Sequence, residues 1–303
     1  MIKIEDLYVE YNVNKGAFGA KQVIHAVNGV SLDIQKGEIL ALAGESGCGK
    51  STLAKAILRL EPVKSGQIIC DAKDFRKFAQ MIFQNPYASL NPKMKILDIL
   101  KEPLEINTKF SKEKILEIVK EKINLVGLDE TCLELYPHEF SGGQRQRIAI
   151  ARALVLNPEF ILADEPVSAL DVSIQAQVIN LIKMLKEKCN ITFLLITHDL
   201  SVIKYLADRV AIMYLGEIVE IGKTNDVFKN PLHPYTKALL NSAPQIDKKQ
   251  DKKIILKGDL PSPANLPKGC KFHTRCPKVM VKCKYCIRDE KGALHKVRFF
   301  LYE

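Results

Sequence analysis

GESGCGKST (Gly44–Thr52) is the stretch on which the reading of this chain turns. It fits G-x-x-x-x-G-K-[ST], a loop whose backbone N–H groups cradle phosphates at the start of a helix. Ile39–Ala43 before it is a short apolar run that predicts a strand, and Lys50–Leu60 after it carries helical spacing. Strand, loop and helix in that order are the setting in which the motif binds nucleotide. Gly44, Glu45, Ser46, Gly47, Cys48, Gly49, Lys50, Ser51 and Thr52 are therefore candidate phosphate ligands. Lys50 offers a point charge to the β- and γ-phosphates, and Ser51 offers a hydroxyl to Mg²⁺. Cys48 stands at a variable position, where a small filler is expected rather than a redox group.

Two more strings follow in a fixed order, FSGGQRQR (Phe140–Arg147) and FILADEP (Phe160–Pro166). The second is an apolar run ending in two carboxylates, as a buried strand delivering acids to a magnesium–triphosphate site would be. Asp164 is expected to hold the metal through water and Glu165 to polarise an attacking water as general base. In the first string, Ser141 sits where an N-cap belongs, ahead of a helix predicted to run through Leu156. A Ser hydroxyl and Gly N–H groups at a helix N-terminus suit anion recognition.

The three strings together resemble the nucleotide-binding subunit of an ABC transporter, and the resemblance covers essentially the whole chain. It implies an α/β P-loop ATPase with a mixed sheet core, an inserted helical subdomain at about 90–157 and a small Cys-rich C-terminal extension. Ser141, Gly142, Gly143 and Gln144 match the family signature, with Phe140 where Leu is usual. In this family the signature faces the ATP of the opposite subunit, so one chain holds two half-sites and hydrolysis needs a head-to-tail dimer. His198 in THDLS resembles the switch histidine that contacts the γ-phosphate, although a lone His is more often structural. Gln84 matches the glutamine that senses magnesium and water, and Ser168–Asp171 the loop that crosses between sites. Tyr11 matches the aromatic that stacks on adenine, with Tyr8 nearby as the alternative. Catalysis is thus assigned to Lys50, Gln84, Glu165 and His198, and Mg²⁺ to Ser51, Gln84 and Asp164.

The rest of the chain reads as alternating elements. IKIEDLYVEY and VIHAVNGVSLDI alternate like strands around the loop NKGAFGAK, and Gln67–Cys70 is a further short strand. MIFQNPYASLNP reads as a loop, and residues 95–137 are mostly helical in pattern. Phe160–Ala163, Ile174–Lys188, Ile191–Ile196, Leu200–Leu206 and Val210–Tyr214 then alternate strand and helix, predicting a mostly parallel sheet covered by helices. Beyond Tyr235–Ser242 the composition shifts to Lys, Pro and Cys. A boundary near Pro244 separates an ATPase domain, 1–243, from an extension, 244–303.

With 303 residues the chain can bury a substantial core. No stretch approaches the roughly 20 apolar residues of a bilayer span, and the N-terminus reads as neither signal peptide nor anchor. The expectation is a cytoplasmic protein, peripheral on the inner face of the cell membrane, with other subunits spanning the bilayer. Of the net charge of +10, the segment Gln245–Glu303 holds twelve Lys and three Arg against six acids, leaving the remainder at +1. A uniformly basic nucleic-acid binder has a different distribution. The tail reads as a solvated basic segment or as one attracted to anionic lipid.

VIHAVNGVSLDI, FQNPYASLNP, HPYTKALL and above all GDLPSPANLPKGCKFHTRCP (Gly258–Pro277) resemble the ATPase subunits of oligopeptide and dipeptide importers. That branch implies two permease subunits, a second ATPase in a heterodimer, an extracytoplasmic substrate-binding protein, and no nucleic acid. Nickel and glutathione importers are close relatives. Against a soluble ABC ATPase acting on nucleic acid, only 90 residues separate Ser51 from Ser141, without a heptad run, and there is one cassette. A drug or lipid exporter would usually carry fused membrane helices.

The chain departs from the branch in a shorter stretch at Gly66–Ala79 and in Phe299, where relatives often carry a last Cys. Cys270, Cys276, Cys283 and Cys286 crowd into 17 residues. In a cytoplasmic protein this favours a metal site over disulfides. By resemblance the group is a [4Fe–4S] cluster, with Cys286 replacing the missing ligand. Four-thiolate zinc and four reduced thiols are the alternatives.

Overall fold

A computed structural model describes residues 2–14, 21–242, 258–284 and 295–297. In chain order the first elements are β1 (Ile2–Asn14), β2 (Lys21–Ile34), β3 (Ile39–Ala43), α1 (Lys50–Ile57) and β4 (Ser65–Cys70). Next come α2 (Phe75–Phe78), β5 (Ala79–Ile82), α3 (Pro86–Ser89), α4 (Ile96–Asn107), α5 (Lys112–Leu125), α6 (Gly142–Leu154) and β6 (Phe160–Asp164). The remainder is α7 (Val172–Cys189), β7 (Thr192–Ile196), α8 (Leu200–Leu206), β8 (Arg209–Tyr214), β9 (Glu217–Lys223), α9 (Thr224–Lys229), α10 (Pro234–Ser242) and β10 (Lys296–Val297). Among the described residues no helix is long and apolar enough to cross a membrane.

The chain divides into two compact units. The first comprises residues 1–34, 40–70 and 198–303. In it β1 pairs antiparallel with β2 and β4. Separately, β3 runs parallel to β8, and β9 adds antiparallel to β8 and carries β10 on its other edge. The alternation of elements predicted a mostly parallel sheet, and the strands it rested on do pair parallel, β8 with β3 and β6 with β7; β9 and β10, which it did not name, add antiparallel. The cause is the Leu215–Gly216 turn, both residues at positive φ, which folds β9 straight back on β8 and leaves no room for a crossover helix. The second unit comprises residues 35–39 and 71–197. Its strands β5, β6 and β7 are all parallel. FILAD and TFLLI are buried along their whole length, as continuous apolar runs in parallel sheets are.

Three element ends differ from expectation. α1 stops at Ile57 rather than Leu60, because Arg59 turns left-handed (φ +60°). Leu60 N–H then returns to Lys55 O at 2.8 Å and Arg59 N–H to Ala56 O at 2.9 Å, the paired bonds of a Schellman ending. α6 ends at Leu154 rather than Leu156. The stretch read as a loop from Met81 holds the end of β5 and the short α3, whose cap is Asn85 accepting from Tyr87 N–H at 2.9 Å.

The described part of the C-terminal extension clusters with the first unit. Phe272, fully buried, meets Tyr214 edge-on with centroids 5.2 Å apart, and Tyr235 and His233 at 5.5 Å each. Cys270, Cys276 and Cys283 belong to the same buried cluster, and Cys270 N–H donates to Cys283 O at 2.9 Å. The boundary near Pro244 and most of the basic tail lie outside the described residues.

The HPYT segment is tied down by one buried acid. Glu220 accepts from Leu232 N–H at 2.8 Å, from His233 N–H at 2.9 Å, and pairs with His295 Nε2 at 2.7 Å. His233 Nδ1 in turn accepts from Tyr235 N–H at 3.1 Å, which a protonated ring cannot do. Burial holds the His233 imidazole neutral, with its pKa down at about 3.

Unfolding returns that ring to its ordinary value of 6.5, so below that pH the unfolded chain takes up a proton that the native chain refuses. The His233 contribution is therefore fully present above about pH 6.5 and drains away as pH falls toward about 3. Between pH 7 and 5 the thermal midpoint of His233→Gln should fall less steeply than that of the unaltered chain. Equal slopes would remove His233 from the acid sensitivity of the fold.

Candidate functional site

The phosphate loop leaves β3 at Gly44 (φ +155°) and enters α1 at Gly49 (φ +105°). A Cβ on Gly44 would stand 2.2 Å from Met213 O, and one on Gly49 2.2 Å from Ala26 O. No other residue fits either place: the backbone is wedged between carbonyls from β8 and β2 in a conformation that side chains avoid. Lys50, itself buried, folds its Nζ onto Gly44 O at 2.7 Å and Glu45 O at 3.0 Å. The loop is further fixed by Gly216 N–H to Cys48 O at 2.8 Å. α1 starts without a side-chain cap, so its first N–H groups are not taken by one. Ser46 and Ser51 are exposed and Thr52 half-buried. Cys48 is buried, and burial pushes its thiol pKa up, as suits a filler rather than a reactive thiolate.

Also in the first unit, Tyr11 lies half-buried on β1 opposite Ile24, while Tyr8 is exposed with its hydroxyl against Gly29. His198 follows buried Thr197 and is exposed, and Asp199 caps α8 by accepting from Ser201 N–H at 2.8 Å.

In the second unit, β6 ends on Asp164, which is buried. Glu165 then turns left-handed at φ +46°, a strained state for a residue with a side chain, and its N–H donates to Ile196 O at 2.8 Å. Gln84, exposed, donates from Nε2 to Glu165 Oε2 at 3.0 Å, so two residues 81 apart in sequence meet at the proposed base. Ser168 Oγ donates to Glu165 O at 3.1 Å. Gln175, which sequence reasoning missed, braces the following loop by donating to Val167 O at 3.1 Å and Leu170 O at 3.0 Å. Asp171 is exposed at the N-cap position of α7.

The signature lies on the first turn of α6. Ser141 Oγ accepts from Gln144 N–H at 3.3 Å, and Gln144 Oε1 accepts from Ser141 N–H at 3.0 Å, a reciprocal capping box. Gly143 is confined by Ile174, whose Cγ2 would stand 2.2 Å from a Cβ there. Beside it Arg145 lays its guanidinium 4.1 Å over the exposed ring of Tyr87. Neither of those two carries a sequence signal, because a cation over a ring has no fixed spacing.

The expected iron–sulfur or zinc site finds no support. Among the described residues, no three His, Cys, Asp or Glu form a group that could hold a metal. Cys270, Cys276 and Cys283 belong to the same buried cluster as Phe272, and burial pushes the Cys270 thiol up to about 11. Cys286 and Phe299 lie outside the described residues.

Comparison with known proteins bears on the family rather than on single residues. The family described as "ABC transporter" matches residues 27–168, and "Oligopeptide/dipeptide transporter, C-terminal region" matches residues 219–283. The oligopeptide transport ATP-binding protein AppF of Bacillus subtilis is 48% identical over 320 residues, covering 100% of this chain and 97% of that protein. The dipeptide transport ATP-binding protein DppF of Haemophilus influenzae is 48% identical, covering 90% and 88%. Among solved structures, the dimeric ATP-binding cassette MJ0796, in a post-hydrolysis state bound to ADP and Pi, is similar with a TM-score of 0.64. It is 30% identical and covers 74% of this chain and 99% of that one.

The capping box makes Ser141 structural as well as a candidate ligand. Ser141→Ala should destabilise the second unit by about 1 kcal/mol, the ordinary value of an N-cap. Urea titration reads this directly, and an unchanged midpoint would show that the cap contributes nothing.

Proposed function

The chain belongs to the ABC transporter family, and from that membership we propose that it binds and hydrolyses ATP to energise a membrane importer of oligopeptides or dipeptides. One observation carries the reading: identity of 48% with an oligopeptide transport ATP-binding protein runs through the whole chain, phosphate loop and C-terminal region alike. Nickel or glutathione uptake and action on nucleic acid are not favoured, since the relatives compared are peptide-transport proteins.

The residues take the following roles. Backbone N–H groups of the Gly44–Thr52 loop, that of Glu45 excepted because Tyr235 Oη accepts from it, and the Lys50 ammonium grip the triphosphate. Lys50 rests on loop carbonyls that the phosphate oxygens would replace, so its charge is already aimed into the loop. Ser51, Gln84 and Asp164 are the residues that would hold Mg²⁺: a hydroxyl at the head of α1, an exposed amide oxygen, and an acid at a strand end are the hard oxygen donors that ion takes. When bound, the ion neutralises charge on the transferring phosphate. Glu165 accepts the proton of the attacking water, and the Gln84 amide holds its carboxylate in one orientation until then. His198 contacts the γ-phosphate and Tyr11 stacks on adenine. Ser141, Gly142, Gly143 and Gln144 recognise the γ-phosphate held by a partner ATPase, with Asp171 on the loop that crosses between them.

Residues 1–243 form the ATPase domain, with a helical subdomain at about 90–157, and residues 244–303 the peptide-importer extension. The working assembly pairs this chain with a second, different ATPase beneath two permease subunits, peripheral on the cytoplasmic face, and an extracytoplasmic protein delivers the substrate. The dimeric form of the similar cassette supports the pairing in kind.

Glu165→Gln keeps the acceptor shape and removes the base. ATP hydrolysis by the assembled transporter should fall by about 100-fold or more while ATP binding persists. Turnover near that of the unaltered protein would take Glu165 out of the mechanism.

A further inference from the structure

The second residue of the phosphate loop is a carboxylate, Glu45, in a loop that must receive a polyanion. Left to itself that charge would repel the triphosphate and compete for the Lys50 ammonium, whose Nζ already sits 3.0 Å from the Glu45 carbonyl. Neither happens here, because the carboxylate is held elsewhere. Arg275, 230 positions away in the C-terminal extension, donates from Nη1 to Oε2 at 2.9 Å and to Oε1 at 3.2 Å. The Arg275 side chain is only 9% exposed and that of Glu45 29%, so solvent screens the pair far less than a surface ion pair. Tyr235 completes the grip, its Oη accepting from Glu45 N–H at 2.9 Å. One residue of the loop is thus held at its N–H, its carbonyl and its carboxylate, and two of those three partners come from beyond β9.

Arg275 is in turn set by the extension. Its N–H closes a turn on Phe272 O at 3.0 Å, and Phe272 is the fully buried centre of the aromatic cluster with Tyr214 and Tyr235. The rigid packing that fixes Phe272 fixes the guanidinium.

We propose that Arg275 is a positioning residue for nucleotide binding: it neutralises the Glu45 carboxylate and holds it off Lys50, so that ATP affinity depends on the C-terminal extension. The proposal rests on the reading of Gly44–Thr52 as the ATP site. Arg275 acts through Glu45 and not on the phosphates, which gives it a signature in a double-mutant cycle.

The test is equilibrium binding of a fluorescent ATP analogue, with Mg²⁺, to the full chain and to four variants, each checked for its thermal midpoint. Arg275→Ala should weaken binding about tenfold, equivalent to about 1.4 kcal/mol. Arg275→Lys keeps the charge without the forked geometry and should lose about threefold. Whatever the affinity of Glu45→Gln itself, adding Arg275→Ala to it should cost less than about threefold, because the charge that Arg275 neutralises is gone. If Arg275→Ala fails to fold, the lysine variant and the double variant carry the comparison. Binding by Arg275→Ala within about twofold of the unaltered chain overturns the proposal, as does a cost of Arg275→Ala in the Glu45→Gln background as large as its cost in the unaltered chain. Failure of the unaltered chain to bind the analogue would instead overturn the ATP reading itself.

Discussion

The phosphate loop can exist only where its backbone passes within van der Waals reach of two foreign carbonyls, Met213 O and Ala26 O. Everything around it in the first unit serves that passage. Gly44 and Gly49 are the residues that fit, β8 and β2 supply the walls, and Gly216 N–H and Asn28 hold the edge by bonds to Cys48 O and Leu215 O. A loop built this tightly is preorganised: its dipoles are already oriented before any anion arrives, so little reorganisation is left to oppose binding.

The C-terminal extension is part of that preorganisation. Its cysteines invite a metal by their spacing, yet the three described ones spend their volume packing against aromatic rings. Burial in that cluster raises the Cys270 thiol pKa, as an apolar surrounding does for a group that charges on losing its proton. What the extension delivers instead is one cation, Arg275, aimed at one carboxylate in the loop. Pro263 adds a backbone tie by accepting from His25 N–H at 3.0 Å on β2.

The second unit uses its strain and its caps differently. Glu165 is held at positive φ by the strand beside it, which points its side chain out of the run of the strand and toward Gln84. Ser141 and Gln144 satisfy each other across the first turn of α6. An anion arriving there exchanges one hydrogen bond for another, and the helix N-terminus favours the negative partner. The signature is thus the start of a helix, and in the role proposed for it the same bonds are the ones an anion would exchange.

The phosphate loop, the acids at the end of β6, the capping box at Ser141 and the branch-specific tail are all legible in the sequence. Each is a local pattern in which spacing along the chain equals spacing in space. The same reasoning placed α8 at its observed limits and missed β9, because the Leu215–Gly216 turn carries no marker stronger than a single glycine. Local spacing left the cysteines open between a ligand set and reduced thiols, since the same interval serves either, and the three described ones lie in a packed core. Only the tertiary structure could bring Gln84 to Glu165, Tyr235 to Glu45 and Arg275 to Glu45, over separations of 81, 190 and 230 residues. Those contacts depend on strand order and core packing, and no periodicity along the chain encodes them.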